Sequence, residues 1–179
     1  MRADAVRNQA LILDAARAQI TEHGSDVSMD QIAKAAGVAV GTLYRHYPTK
    51  KDLVQAVLIE FLDTLISWGE QAVASLRPGD ALNQVRGVLA NFLESASDDQ
   101  AIKEAAGVLG ADYFTPELAE RGRVALDVLL TAAAADGDLR AGVTVDDIYL
   151  LMTSAPTSAE KPARDRWLEI VMAGISRER

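Results

Sequence analysis

The chain contains no cysteine, which excludes disulfides, thiolate metal sites and cysteine nucleophiles. Aromatic residues make up only 5% of it. That share, beside abundant alanine, favours helices packed closely on small side chains over a β-sandwich. Histidine is nearly missing. His23 and His46 are the only two, and neither has a metal-ligating partner at coordinating spacing. There is no H-E-x-x-H, no glycine-rich phosphate loop and no nucleophile elbow. The many carboxylates scatter over helix faces, where solvation accounts for them. These absences predict a protein that is not an enzyme and carries no metal and no cofactor. Long apolar runs are also lacking. The longest candidate, Val124–Ala135, is broken by Asp127 and Thr131, short of the roughly 18 apolar residues of a membrane span. The N-terminal stretch alternates apolar residues with Arg, Asp, Asn and Gln, unlike a secretory signal. A cytoplasmic location and no membrane partner are expected.

What is present suits a packed core. The chain has 179 residues, 49% of them hydrophobic, enough for one large domain or two small ones. The net charge of −8 argues at first against a nucleic-acid partner. The charge is unevenly spread, however. Residues 1–53 hold seven Lys/Arg against six Asp/Glu, whereas residues 54–179 hold 11 against 20. The acidity belongs to the second part. A DNA-binding head needs only a local basic surface, because charge is screened within roughly 8 Å in physiological salt. An acidic body behind it would keep the wrong face off DNA.

Apolar spacing predicts an all-α fold of about nine helices, with an N-terminal three-helix head and a C-terminal bundle. Ile12, Ala15, Ala16, Gln19 and Ile20 recur at helical spacing, and Gly24 is a stop. Ser28-Met29-Asp30-Gln31 reads as a capping box opening a second helix, which Gly37 ends. A short third helix spans Val40–Tyr47, and Pro48 cannot continue it. Thr49-Lys50-Lys51-Asp52 caps a fourth, carrying Leu53, Val57, Leu58, Phe61, Leu62, Leu65 and Trp68. Further helices are expected at Asp80–Ser95, Gln100–Leu109, Pro116–Ala135, Val145–Ser154 and Ala163–Ser176. Leu139–Val145 is the one plausible extended stretch. The expected domains are residues 1–53 and 54–179.

Two short helices joined by a tight glycine turn outline a helix-turn-helix, whose second helix enters the major groove. A wheel of roughly 100° per residue puts Leu43 and Tyr47 on the buried side. Arg45 then points outward, flanked by Gly41 and Thr42, with Tyr44 and His46 on the shoulders. The outer residues can meet base edges. Gly41 permits close approach, Thr42 offers a hydroxyl and a methyl, and Arg45 a fork suited to guanine. The shoulder residues can reach phosphates. Lys50 offers phosphate a charge at a helix N-terminus.

The blocks Ile12-Leu13-Asp14-Ala15-Ala16, His23-Gly24, Ser28-Met29-Asp30-Gln31-Ile32-Ala33, Ala36-Gly37-Val38 and Gly41-Thr42-Leu43-Tyr44-Arg45-His46-Tyr47-Pro48-Thr49-Lys50-Lys51-Asp52-Leu53 follow one another at the spacing of the tetracycline-repressor (TetR) family. The chain resembles that family over about its first 60 residues. The resemblance implies a homodimeric transcriptional regulator with a DNA-binding head and a divergent ligand-binding body. It implies Val40, Gly41 and Thr42 toward bases, Tyr44, His46 and Lys50 on the backbone, and Arg45 on either. It further implies a double-stranded DNA operator, a second copy of the chain and a small-molecule effector as partners. Ala39 stands where the family often has serine, and Ile20 where it usually has phenylalanine. The runner-up is a helical adaptor without DNA binding, indifferent to the loss of Arg45 or Lys50.

The body must then supply a pocket and a dimer face. Leu65, Trp68, Phe92, Leu109, Tyr113 and Phe114 are the candidate pocket wall, suited to a largely apolar effector. Ile148, Leu151 and Met152 form one helical stripe, and Trp167, Ile170, Val171, Gly174 and Ile175 another. These are the candidate dimer contacts.

Overall fold

The computed structural model describes residues 2–98, 100–111 and 115–177. Nine α-helices are found among these residues: α1 (Arg2–His23), α2 (Met29–Ala35), α3 (Val40–His46), α4 (Lys50–Ala74), α5 (Ala81–Asp98), α6 (Gln100–Leu109), α7 (Pro116–Ala135), α8 (Val145–Thr153) and α9 (Lys161–Ile175). A 3₁₀ turn at Gly24–Asp26, which apolar spacing does not signal, follows α1. No strand occurs among the described residues. The stretch expected to be extended makes a single antiparallel bridge, Leu139 with Ser176, through which the chain after α7 is tied to the end of α9.

Local chemistry accounts for the helix ends. At α2 the Ser28 hydroxyl accepts from the Gln31 amide at 3.2 Å, and the Gln31 side chain accepts from the Ser28 amide at 2.8 Å. The helix stops where Gly37 turns to a φ of +68°, the left-handed region that glycine enters without steric cost. The Val38 amide then reaches the Ala33 carbonyl and the Gly37 amide the Lys34 carbonyl, satisfying groups a helix end leaves bare. At α4, Thr49 and Asp52 cap each other reciprocally. Thr115 caps α7, with Pro116 in its first turn. Thr144 and Asp147 box the start of α8.

The described chain divides into two compact units, and the division falls inside α4, between Phe61 and Leu62. The first unit holds α1 to α3, the first half of α4, and α6. This differs from the expected head of residues 1–53: the boundary lies later, and a segment from far along the chain joins the head. In this unit Ile12, Ile20, Ile32, Leu43, Leu53 and Leu58 are fully buried, together with Ile102, Ala105 and Ala106 of α6. Complete burial of one such large apolar side chain stabilises by about 1.5–3 kcal/mol. The Lys103 ammonium lies 5.2 Å from the centre of the Phe61 ring, within cation–π range.

The second unit holds the rest of α4, α5 and α7 to α9. Its core runs through Leu89, Leu129, Ile148, Leu168, Val171 and Ile175. Small residues let α7 lie close to its neighbours. A methyl on Gly69 of α4 would sit 3.4 Å from Ala125, and one on Gly122 would sit 3.0 Å from the Tyr149 hydroxyl. Across the same helices Arg121 of α7 binds both oxygens of Glu70, at 2.9 Å each, and Asp63 at 2.5 Å.

Candidate nucleic-acid interface

The short helix α3 has one buried side and one open side, as the wheel predicts. Leu43 is fully buried and Tyr47 nearly so. Arg45 and Gly41 are exposed and Thr42 is half-buried. Val40 and Tyr44 are among the large apolar side chains the protein leaves in water, 40% and 45% exposed. Gly41 is informative. A methyl built on it meets no atom within 4 Å, so no packing inside the protein demands glycine there. Glycine in a helix costs about 1 kcal/mol relative to alanine.

Ala39 holds the extended backbone of an N-cap, with ψ at 140°, but offers no side-chain cap. The Thr42 and Leu43 amides both reach the Ala39 carbonyl instead.

Two residues behave differently from expectation. The half-buried His46 turns its Nε2 inward, where it has no hydrogen-bond partner among the described residues. A phosphate contact from that nitrogen would need the ring to move. Lys50 is turned inward too. Its ammonium donates to the backbone carbonyls of Ser25 and Val27, so it braces the turn before α2 against the start of α4. Burial lowers its pKa, with Asp26 opposing the shift. The neighbouring Lys51, which the sequence reading passed over, is the exposed cation of this turn. Adjacent lysines at a helix start give no periodic cue to which one faces out.

Behind α3, burial raises the pKa of the Tyr47 phenol, partly offset by the nearby Gln9. The hydroxyl has no partner of hydrogen-bonding geometry among the described residues. Tyr47 therefore serves as core, with its ring tilted 40° to that of His46.

The body residues sort less neatly. Of the six candidate pocket residues, Leu65 and Trp68 are half-buried on α4, Phe92 packs on the core of the second unit, and Leu109 packs on the core of the first. Tyr113 and Phe114 lie outside the described residues. A groove of about 600 Å³ between α4 and α7 is walled by Val73, Val124, Ala125 and Val128. Of the dimer candidates, Ile148, Val171 and Ile175 are buried within the protomer. This corrects the expectation for those three: they hold the body together and present no contact surface. Leu151, Met152 and Trp167 are half-buried. The apolar side chains turned outward on α8 and α9 are Leu150 and Ile170, 67% and 57% exposed.

No group of His, Asp and Glu capable of holding a metal occurs among the described residues. No described helix is long and apolar enough to cross a membrane.

The signature of the tetR family of bacterial regulatory proteins matches residues 12–57. An HTH-type transcriptional regulator of Staphylococcus aureus is 34% identical over 96 residues, 52% of this chain and 50% of that protein. The chain thus spans about half the length of that curated relative. Likeness to solved structures extends over the whole chain. A TetR transcription regulatory protein from Mycobacterium vanbaalenii is 32% identical with a TM-score of 0.77, covering 98% of this chain and 99% of the other. A TetR transcriptional regulator from Streptomyces coelicolor is 28% identical with a TM-score of 0.72, covering 96% and 99%.

Proposed function

This chain belongs to the TetR family of bacterial transcription regulators, a family of regulators and not of enzymes, and on that premise we propose that it is a ligand-responsive repressor. It grips a pseudo-palindromic operator as a homodimer, each protomer laying α3 in a major groove. The observation that carries the reading is the outer face of α3: exposed Val40, Tyr44 and Arg45 around a glycine the fold does not require. The seven residues of α3 span about 10 Å at 1.5 Å each, within a major groove about 12 Å wide. Val40, Gly41, Thr42 and Arg45 read base edges. Tyr44 and Lys51 take phosphates, with His46 joining if its ring turns outward. Lys50 positions the turn that supports them.

Members of the family bind operator DNA as dimers and take small-molecule effectors. Two-fold symmetry in the protein calls for two-fold symmetry in the DNA. Exposed Leu150 and Ile170 are the apolar anchors α8 and α9 offer to a second copy. An effector that favours the DNA-incompetent arrangement of the dimer shifts the equilibrium toward release. The adaptor reading has no comparable support, since the proteins this chain resembles are transcription regulators.

Selection of bound fragments from the source genome, followed by gel-shift titration at several salt concentrations, tests the proposal. We expect salt-sensitive, sequence-preferring binding, with Arg45→Ala relaxing the preference. Absence of salt-sensitive binding by the wild-type protein would sink it.

A further inference from the structure

The outer face of α3 carries apolar surface beside its cation. Val40 opens the helix at 40% exposure, and Tyr44, one turn on, stands at 45%. Four residues apart, the two side chains share one edge of the helix. Gly41 and Arg45 follow them around the same face, both exposed. A methyl built on Gly41 meets no atom within 4 Å, so no other part of the described protein stands over that position. Among the described residues Val40 takes no part in the core that buries Leu43. The edges of base pairs in a major groove carry hydrogen-bond donors and acceptors and a single kind of methyl, the C5 methyl of thymine. Valine has no hydrogen bond to give or accept, so that methyl is the group it matches.

We propose that Val40 is a specificity-determining residue that reads the C5 methyl of a thymine in each operator half-site. This rests on the reading of α3 as the helix that enters the groove. The Tyr44 ring walls the same edge while its hydroxyl reaches a phosphate, as an amphipathic side chain can. Arg45 lies five residues beyond Val40, about 7.5 Å along the axis at 1.5 Å each, close to two base-pair steps of about 3.4 Å. A half-site therefore pairs a thymine, met by Val40, with a guanine about two steps away, met by the Arg45 fork. A C·G pair in place of the thymine presents the cytosine amino donor, which valine cannot accept. Thr42 carries a methyl too, but it is half-buried and lies about 160° from Val40 around the helix, at roughly 100° per residue.

Replacing thymine by deoxyuridine removes the methyl and leaves every hydrogen-bonding group of the base pair in place. Operator duplexes recovered by the genomic selection are substituted at one symmetry-related pair of thymines at a time and titrated with the full chain by fluorescence anisotropy. At one such pair the wild type should lose about 15-fold in affinity, the effect of about fourfold per methyl-sized group removed from water in each of two half-sites. Val40→Ala should bind the thymine duplex about as weakly as the wild type binds the uracil duplex, and lose nothing more on the uracil duplex. Its melting temperature should not fall, since alanine is the better helix former. Thr42→Ser, which removes the other methyl of this face, should keep the full uracil effect. Half-sites without thymine, indifference of the wild type to every uracil, or a uracil loss undiminished in Val40→Ala overturns the proposal. So does a uracil loss that vanishes in Thr42→Ser and persists in Val40→Ala. In each of these cases salt-sensitive binding to the parent duplex leaves the regulatory reading standing. Absence of salt-sensitive binding to any duplex removes both.

Discussion

Arg121 holds Glu70 with its guanidinium edge-on, Nε to Oε1 and Nη2 to Oε2, both at 2.9 Å. That contact joins α7 to α4, and the Arg121 hydrogen bond holds the Glu70 carboxyl below the usual glutamate pKa. A carboxylate with a lowered folded-state pKa contributes stability that is fully present above its unfolded value. The contribution is lost as pH falls through the folded value. Asp147 is lowered by its bond to Thr144 and Asp80 by its bond to Gln84, so they act with the same sign. Stability measured by denaturant titration should therefore decline below about pH 4, near the unfolded carboxylate values. Glu70→Gln should flatten part of that decline, and Glu70→Gln with an unchanged slope would show the pair to be energetically silent.

Gly41→Ala should separate stability from function. The new methyl meets no protein atom, so helix α3 gains about 0.5–1 kcal/mol from the better helix former. Operator affinity in a gel shift should fall by tenfold or more if α3 docks as proposed, because the methyl would then meet the DNA. A variant both more stable and equally tight would remove Gly41 from the interface.

Lys50→Met should act through the fold. The ammonium bonded to Ser25 and Val27 is lost, leaving two carbonyls short of a donor, at about 1–3 kcal/mol for a charge-assisted contact. Stability of the head should drop by that order. DNA binding should weaken while the slope of log affinity against log salt stays the same. Lys51→Met should do the reverse, sparing stability and reducing that slope by about one unit.

Leu150→Asp combined with Ile170→Asp should shift the protein toward monomer in sedimentation equilibrium, by at least tenfold in dissociation constant, with its helical signal intact. The contrast is Ile148→Ala on the same helix. Ile148 is fully buried, so its truncation costs about 2–5 kcal/mol of folding stability without weakening association of the folded protein. Dimers unaffected by the double charge would place the interface elsewhere.

Helices and their ends were readable because their causes are local. Ser28 with Gln31, Gly37, Pro48, Thr49 with Asp52, and Pro116 are each decided within a turn of chain. The open and buried sides of α3 were readable from the helical wheel, which puts Leu43 and Tyr47 close together with Arg45 opposite, even though Val40 and Tyr44 are as apolar and stay exposed. What escaped was decided by partners distant in sequence. The stripe of Ile102, Ala105 and Ala106 announces an amphipathic helix but not which core receives it. On α8 and α9 apolar residues occur on more than one face, and periodicity cannot say whether Ile148 or Leu150 turns inward. The inward turn of Lys50 depends on two carbonyls some two dozen residues earlier.

The place of α6 bears on any attempt to recombine these proteins. A chimaera made by exchanging the N-terminal residues up to Phe61 would keep the recipient's α6, and Ile102, Ala105 and Ala106 belong to the donor's hydrophobic core. The transplanted reader would face a foreign surface where its own helix belongs. A sensor with altered operator choice therefore requires a graft in two pieces, the N-terminal segment and α6 together.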